Sequence, residues 1–221
     1  MLIDDGGEAC LWPLLERSIP GQQALDLTSP YGYPGPVYTS RSPAVAADLL
    51  TRGLPRAFEM LRDRGCVTLF SRLHPILNAE PDGHTSPLMT MATVVEHGAT
   101  ISLDLGIPLS ESFSQYRETA RRHVRLAKKR GYVATHDPQL ARLADFIPLY
   151  HDTMRRIGAS AYYMFPESYF EALRLALGSR AFLWLAERDG RVGAAVLFTE
   201  VCGLVQYHLS ANDAELSKDH P

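Results

Sequence analysis

Cysteine is scarce. The 221-residue chain holds three, Cys10, Cys66 and Cys202, far apart and odd in number. They form neither a disulfide framework nor a zinc-ligand spacing, and a reducing compartment suits them. No stretch approaches the roughly 18 consecutive apolar residues of a membrane span. The first residues, Met1 to Ala9, lack the basic start and apolar run of a signal peptide. A cytoplasmic protein without membrane insertion is therefore expected. Excess positive charge is missing too: the formal net charge is −3, which argues against a general nucleic-acid binder. The spacing contains no glycine-rich phosphate loop and no Ser–His–Asp or Cys–His arrangement, and no metal site is expected. What remains is ordinary for a globular protein, with 46% apolar and 21% charged residues. The length allows one large domain or two small ones, each with a core.

The most distinctive stretch is Ser112 to Gly131, which reads as one helix with a Ser112/Gln115 capping box and a Gly131 stop. Phe113, Tyr116, Ala120, Val124 and Ala127 fall at helical spacing, predicting a buried stripe. Arg117, Arg121 and Arg125 lie on a neighbouring face, joined by Arg122, Lys128, Lys129 and Arg130, with Glu118 as the opposing charge. Charge runs are usually solvated faces, and the last cations suit the negative end of the helix dipole. The functional alternative is a guanidinium ladder that grips phosphate or carboxylate bidentately.

Before this helix, Ala9 to Arg17 reads as a strand weakened by Pro13, and Gln22 to Leu27 as a second. The loop Thr28 to Pro36 carries three prolines, two glycines and the pair Tyr31 and Tyr33 about Gly32. It is either a rigid connection or a binding rim with two aromatic faces. Pro43 to Leu50 and Pro55 to Arg64 read as two helices, and Val67 to Arg72 as a strand. His74 precedes a proline, which favours extended backbone; a lone histidine is more often structural than catalytic. A polar loop with Asp82-Gly83 follows, then a hairpin of Leu88 to Val95 and Ala99 to Leu105 about His97-Gly98.

Beyond the basic helix, Asp137-Pro138 predicts a helix start running to Ile157, kinked or split at Pro148. An aromatic turn, Ala161 to Phe165, leads into a helix over Pro166 to Leu177. Three strands follow, Ala181 to Arg188, Arg191 to Glu200 and Gly203 to Ser210, the first two joined by an Asp189-Gly190 turn. Nothing covers the meander after Ala211, so a domain lacking its second half is expected.

A helix pair followed by this meander resembles the first half of the Gcn5-related N-acetyltransferase (GNAT) fold. The segments Asp26 to Pro36, Arg72-Leu73-His74-Pro75, Arg121 to Gly131, Tyr150 to Gly158 and Tyr207 to Asn212 together resemble the Fem-type group, which includes the peptidoglycan bridge aminoacyltransferases. The resemblance covers nearly the whole chain. It implies an α+β protein of tandem GNAT-like domains, with mixed, mostly antiparallel sheets flanked by helices and the second domain incomplete. The expected divisions are a first domain over 1–110, a linking helix over 111–131 and a second domain over 132–221. The implied reaction moves an acyl group from acyl-CoA or aminoacyl-tRNA to an amine of a small anionic acceptor, such as a cell-wall or sugar-nucleotide precursor, with tRNA a possible partner.

Such a transfer needs a proton removed from the amine and an oxyanion stabilised; the amine itself is the nucleophile. Positioning is then the main device. The expected acceptor-binding residues are Arg121, Arg122 and Arg125 with Tyr31, Tyr33, Arg72 and His74. Tyr207 or His208 would orient the acceptor or relay the proton, the alternative being a buried strand pair. A non-catalytic GNAT-shaped module for an anionic sugar nucleotide or RNA is the competing expectation.

Overall fold

The computed structural model describes residues 1–78 and 86–216. They form an α+β protein with three mostly antiparallel sheets. The chain divides into two compact units, 1–102 and 103–221. Among the described residues no helix is long and apolar enough to cross a membrane.

In unit 1 the stretch expected as one strand over Ala9 to Arg17 is two. Strands β1 (Leu2–Asp5), β2 (Glu8–Leu11) and β5 (Val37–Tyr38) make one antiparallel sheet. Strand β3 (Leu15–Ser18) belongs to another, with β4 (Leu25–Thr28) and β6 (Cys66–Phe70). The chain changes sheets at Trp12-Pro13-Leu14, where Pro13 cannot donate to a ladder. Trp12 is buried there, and its indole N–H donates to Ser71 Oγ at 2.9 Å. Strands β4 and β6 are parallel, and the crossover between them contains helix α1 (Pro43–Asp63).

Helix α1 replaces the two expected helices, running straight through Pro55. An interior proline costs about 3 kcal/mol through its missing N–H and ring clash. Burial of Leu49, Leu50 and Leu54 against Ile3, Cys10, Trp12 and Leu88 outweighs that local rule. Gly53 lets the helix approach β1, since a Cβ there would stand 2.4 Å from Ile3 Cγ2. Burial pushes the Cys10 thiol up to about 11.

The expected hairpin about His97-Gly98 does not form. Helix α2 (Ser86–Met91) occupies its first half, and residues 93–106 have exposed side chains and no strand. Their β-branched residues meet no apolar partner that would make pairing worthwhile. The expected turn at Asp82-Gly83 lies outside the described residues.

Unit 2 begins with helices α3 (Leu109–Gln115) and α4 (Glu118–Lys129), not with one basic helix. Tyr116 and Arg117 are extended, with ψ of 146° and 145°. Neither proline nor glycine marks the break. Gly131 does end α4, at φ 85°. No residue of α4 is buried, so the expected core stripe is not a core.

The rest of unit 2 is one antiparallel sheet in the order β7 (Val133–Asp137), β8 (Ala181–Arg188), β9 (Arg191–Val201), β10 (Leu204–Asn212). Helices α5 (Leu143–Arg156) and α6 (Glu167–Leu177) lie between β7 and β8 in sequence. Asp137 thus ends a strand instead of starting a helix; its buried carboxylate accepts the backbone N–H of Gln139 at 3.2 Å and of Arg142 at 2.8 Å. Pro148 is tolerated inside α5. Alternation along β8 and β9 places Leu183, Leu185, Ala195 and Leu197 on a buried face, with Phe146, Tyr150 and Phe170 of the helices equally buried. Thr153 of α5 ties the end of β10, its hydroxyl accepting the Asn212 N–H at 3.0 Å. The Asp189-Gly190 turn has both φ values positive, 53° and 76°, as the expected two-residue hairpin requires.

Replacing Leu197, fully buried, with alanine should cost about 2–5 kcal/mol in unit 2, whereas the exposed Leu109→Ala should cost under about 0.5 kcal/mol. Urea unfolding of both variants checks this, and equal losses would contradict the packing described.

Candidate functional site

Three groups of the expected residues can be located, each within one unit. The first is on β10. Its pairing with β9 slips between Tyr207 and Leu209, so His208 is the extra residue of a β-bulge. The bulge separates the two expected catalytic residues. Tyr207 stands opposite Phe198, is 60% exposed, and meets the Phe198 ring edge-on at 5.7 Å. It shares that side of the sheet with Phe182 and Phe198, away from the buried leucines.

His208 instead reaches α6. Its Nε2 and the Tyr169 hydroxyl share a hydrogen bond of 2.7 Å. The two rings are stacked within 23°, Tyr169 stacks on Phe165 at 4.4 Å, and Phe165 lies within 9° of parallel to Tyr150. Tyr150, Phe165, Tyr169 and His208 thus form a column of near-parallel rings. Helix α5 fixes its middle: the Tyr150 hydroxyl donates to the Tyr163 carbonyl at 2.6 Å, and His151 Nε2–H to that of Phe165 at 2.7 Å. Burial holds His208 below the ordinary histidine range. Its ring is neutral near pH 7, the form that can take up a proton.

The second group is on α4. Arg121 donates to Glu118 at 2.6 Å and to the Ser114 carbonyl at 3.2 Å, and Arg125 reaches the same carboxylate at 3.4 Å. The single acid therefore holds two of the three expected anion-binding arginines, and Arg125 also lies 6.0 Å from the Phe113 ring centre. Arg122, Lys128 and Lys129 are exposed.

The third group is in unit 1, where Tyr31 and Tyr33 follow β4, and Arg72 and His74 follow β6. Because these strands are parallel, both loops leave from the same end, the C-terminal end at which α/β sheets hold ligands. Ser29 Oγ joins them by accepting the Arg72 backbone N–H at 3.2 Å. Tyr33 is 43% exposed. The Arg72 guanidinium is exposed 6.0 Å from the Phe70 ring centre, with no carboxylate partner among the described residues. His74 is different: Nδ1 accepts two backbone N–H groups, so this residue shapes its loop.

A groove of about 400 Å³ between β1 and α1, bordered by Leu2, Arg52, Arg56 and Met60, contains none of the expected site residues. Among the described residues no cluster of three or more His, Cys, Asp or Glu could hold a metal ion. Tyr169 and Phe165 are the members that sequence reasoning passed over. Tyr169 sits on the helical apolar spacing of α6 and reads as core; only the bulge reveals it as a partner of His208.

Compared with models of known protein families and with curated proteins, the chain matches none.

Burial lowers the folded-state pKa of His208 below the 6.5 of a free histidine, so the unfolded chain binds that proton more tightly. Its contribution is full above pH 6.5 and is lost as the pH falls toward the lower folded value. The wild-type urea midpoint should drop between about pH 7 and about pH 5.5 by more than that of His208→Gln. An NMR titration midpoint for His208 at or above 6.5 would contradict the assigned environment.

Proposed function

We propose that this chain is an acyl-transferring protein of GNAT-like architecture. It moves an acyl group from acyl-CoA or aminoacyl-tRNA to an amine of a small anionic acceptor, such as a cell-wall or sugar-nucleotide precursor. The observation that carries this reading is the half-buried His208 at a bulge in β10, hydrogen-bonded to Tyr169 beneath it. The order of unit 2 after α4, one strand, two helices and a three-stranded meander, supports it.

In the proposed reaction the acceptor nitrogen bonds to the carbonyl carbon of the donor, and the thioester or ester bond breaks. The nitrogen's proton passes to His208 and then to the leaving sulfur or oxygen. Tyr169 keeps the imidazole in place and is its positioning residue. Arg122, with Arg121 and Arg125 after release from Glu118, binds the acceptor's phosphate or carboxylate, where planar guanidinium groups are effective. In unit 1, Tyr33 and Arg72 offer a second polar rim, beside Tyr31.

Screening acyl-CoA and aminoacyl-tRNA donors against amine acceptors tests the reading directly. Once a turnover is found, His208→Ala should lower kcat by about 10²–10⁴, with a smaller loss for Tyr169→Phe. An unchanged kcat in His208→Ala would remove the base from this account.

The outward-facing cations of α4, a helix with no buried residue, favour a second reading, a non-catalytic module binding RNA or an anionic sugar nucleotide. Salt separates the two ligands. A multi-phosphate contact loses affinity steeply with salt, each neutralised phosphate of a single strand adding about 0.7 to the logarithmic slope; one bidentate site gives a shallow line.

A further inference from the structure

Beyond the Ser29 contact, the loops that follow β4 and β6 are held together by a second buried side chain. Asn78 is 7% exposed. Its Nδ2–H donates to the Pro36 carbonyl at 3.1 Å, while Oδ1 accepts the backbone N–H of His74 at 2.8 Å. Its own N–H donates to the His74 carbonyl at 2.9 Å. Gly35 makes the approach possible. A Cβ at this position would lie 1.8 Å from Asn78 Oδ1 and 3.0 Å from the His74 nitrogen.

The His74 ring completes the arrangement. Nδ1 accepts the backbone N–H of Ile76 and of Leu77, both at 3.1 Å. A nitrogen that accepts two amides carries no proton, so the ring is neutral with its hydrogen on Nε2. Protonation would place an N–H where two N–H groups already point, removing the acceptor that both use among the described residues. Burial acts in the same direction and depresses this histidine's affinity for the proton. Among the described residues, the groups in contact with His74, namely Gly35, Ile76, Leu77 and Asn78, are uncharged. The nearest cation in sequence, Arg72, is exposed against Phe70.

We propose that His74 and Asn78 form a proton-operated latch: with the ring neutral it holds the loop carrying Tyr31 and Tyr33 onto the turn carrying Arg72, and protonation releases it. Mild acid then disperses the rim formed by Tyr33 and Arg72 while the rest of unit 1 stays folded. The latch stands on the hydrogen bonds of the Asn78 and His74 side chains and does not depend on the acyltransferase reading.

Amide hydrogen exchange and imidazole NMR of the full chain, between about pH 5 and about pH 8, test it. With intrinsic exchange rates corrected for pH, protection at Ile76 and Leu77 should fall about tenfold per pH unit below the His74 titration, as for opening linked to one proton. Protection in the core of unit 1, such as at Leu50 of α1, should not follow. His74→Asn supplies an uncharged oxygen able to accept the N–H two residues on, so its Ile76 protection should stay flat with pH. His74→Ala should leave the turn unprotected throughout, and the asparagine variant keeps the test decisive should alanine fail to fold. An Nδ1–H tautomer at neutral pH, wild-type protection indifferent to the titration, or the same acid loss in His74→Asn would each overturn the proposal.

Discussion

Unit 2 depends on the burial of one face of β8 and β9 beneath α5 and α6. Leu183, Leu185, Ala195 and Leu197 on the sheet, and Phe146, Tyr150 and Phe170 on the helices, are all withdrawn from water. In a strand, neighbouring side chains alternate faces, so this burial fixes the register of every other residue. It directs Tyr207 one way and, through the extra residue in β10, lets His208 turn toward the helices. A slip of one residue would exchange them.

The ring column is where that packing becomes chemistry. Tyr150 belongs to the core, yet its hydroxyl and the neighbouring His151 hold the turn that carries Phe165. Phe165 supports Tyr169, and Tyr169 holds His208. A rigid support suits the proton transfer proposed for His208, since the geometry is set before any ligand arrives. The arginines of α4 differ. Two of them are already engaged by Glu118, so ligand binding there competes with an existing, exposed ion pair.

Local signals were strong where structure is local. Asp189-Gly190, the bounds of α6 and the three strands around it follow from turn chemistry and apolar spacing to within about two residues. Failures came where distant contacts decide. Val133–Asp137 is a strand because it pairs with β8, some fifty positions away, while Asp137-Pro138 reads locally as a helix start. Pro55 reads as a boundary, but buried Leu49, Leu50 and Leu54 before it and half-buried Ala57 and Phe58 after it, packed on the same core, keep α1 continuous. The residues about His97 carry strand propensity without a partner to pair with. The break at Tyr116 and Arg117 has no proline or glycine to announce it. Of the candidate sites, the residue types were legible and their groupings only partly so. The parallel pairing of β4 and β6 brings the loops of Tyr33 and Arg72 to one end; strand alternation already parts Tyr207 from His208, while the bulge at His208 leaves no mark in composition.

The uneven placement of the three thiols has a kinetic meaning. Cys10 and Cys66 are buried in unit 1, while Cys202 is exposed at the turn between β9 and β10. Thiolate, not thiol, is the reactive form, and the burial that lifts Cys10 to about 11 suppresses it twice, by access and by ionisation. An alkylating reagent will therefore mark unit 2 at once and the core of unit 1 only when that core opens. The chain carries its own clock for the breathing of one unit, zeroed against a thiol on the other.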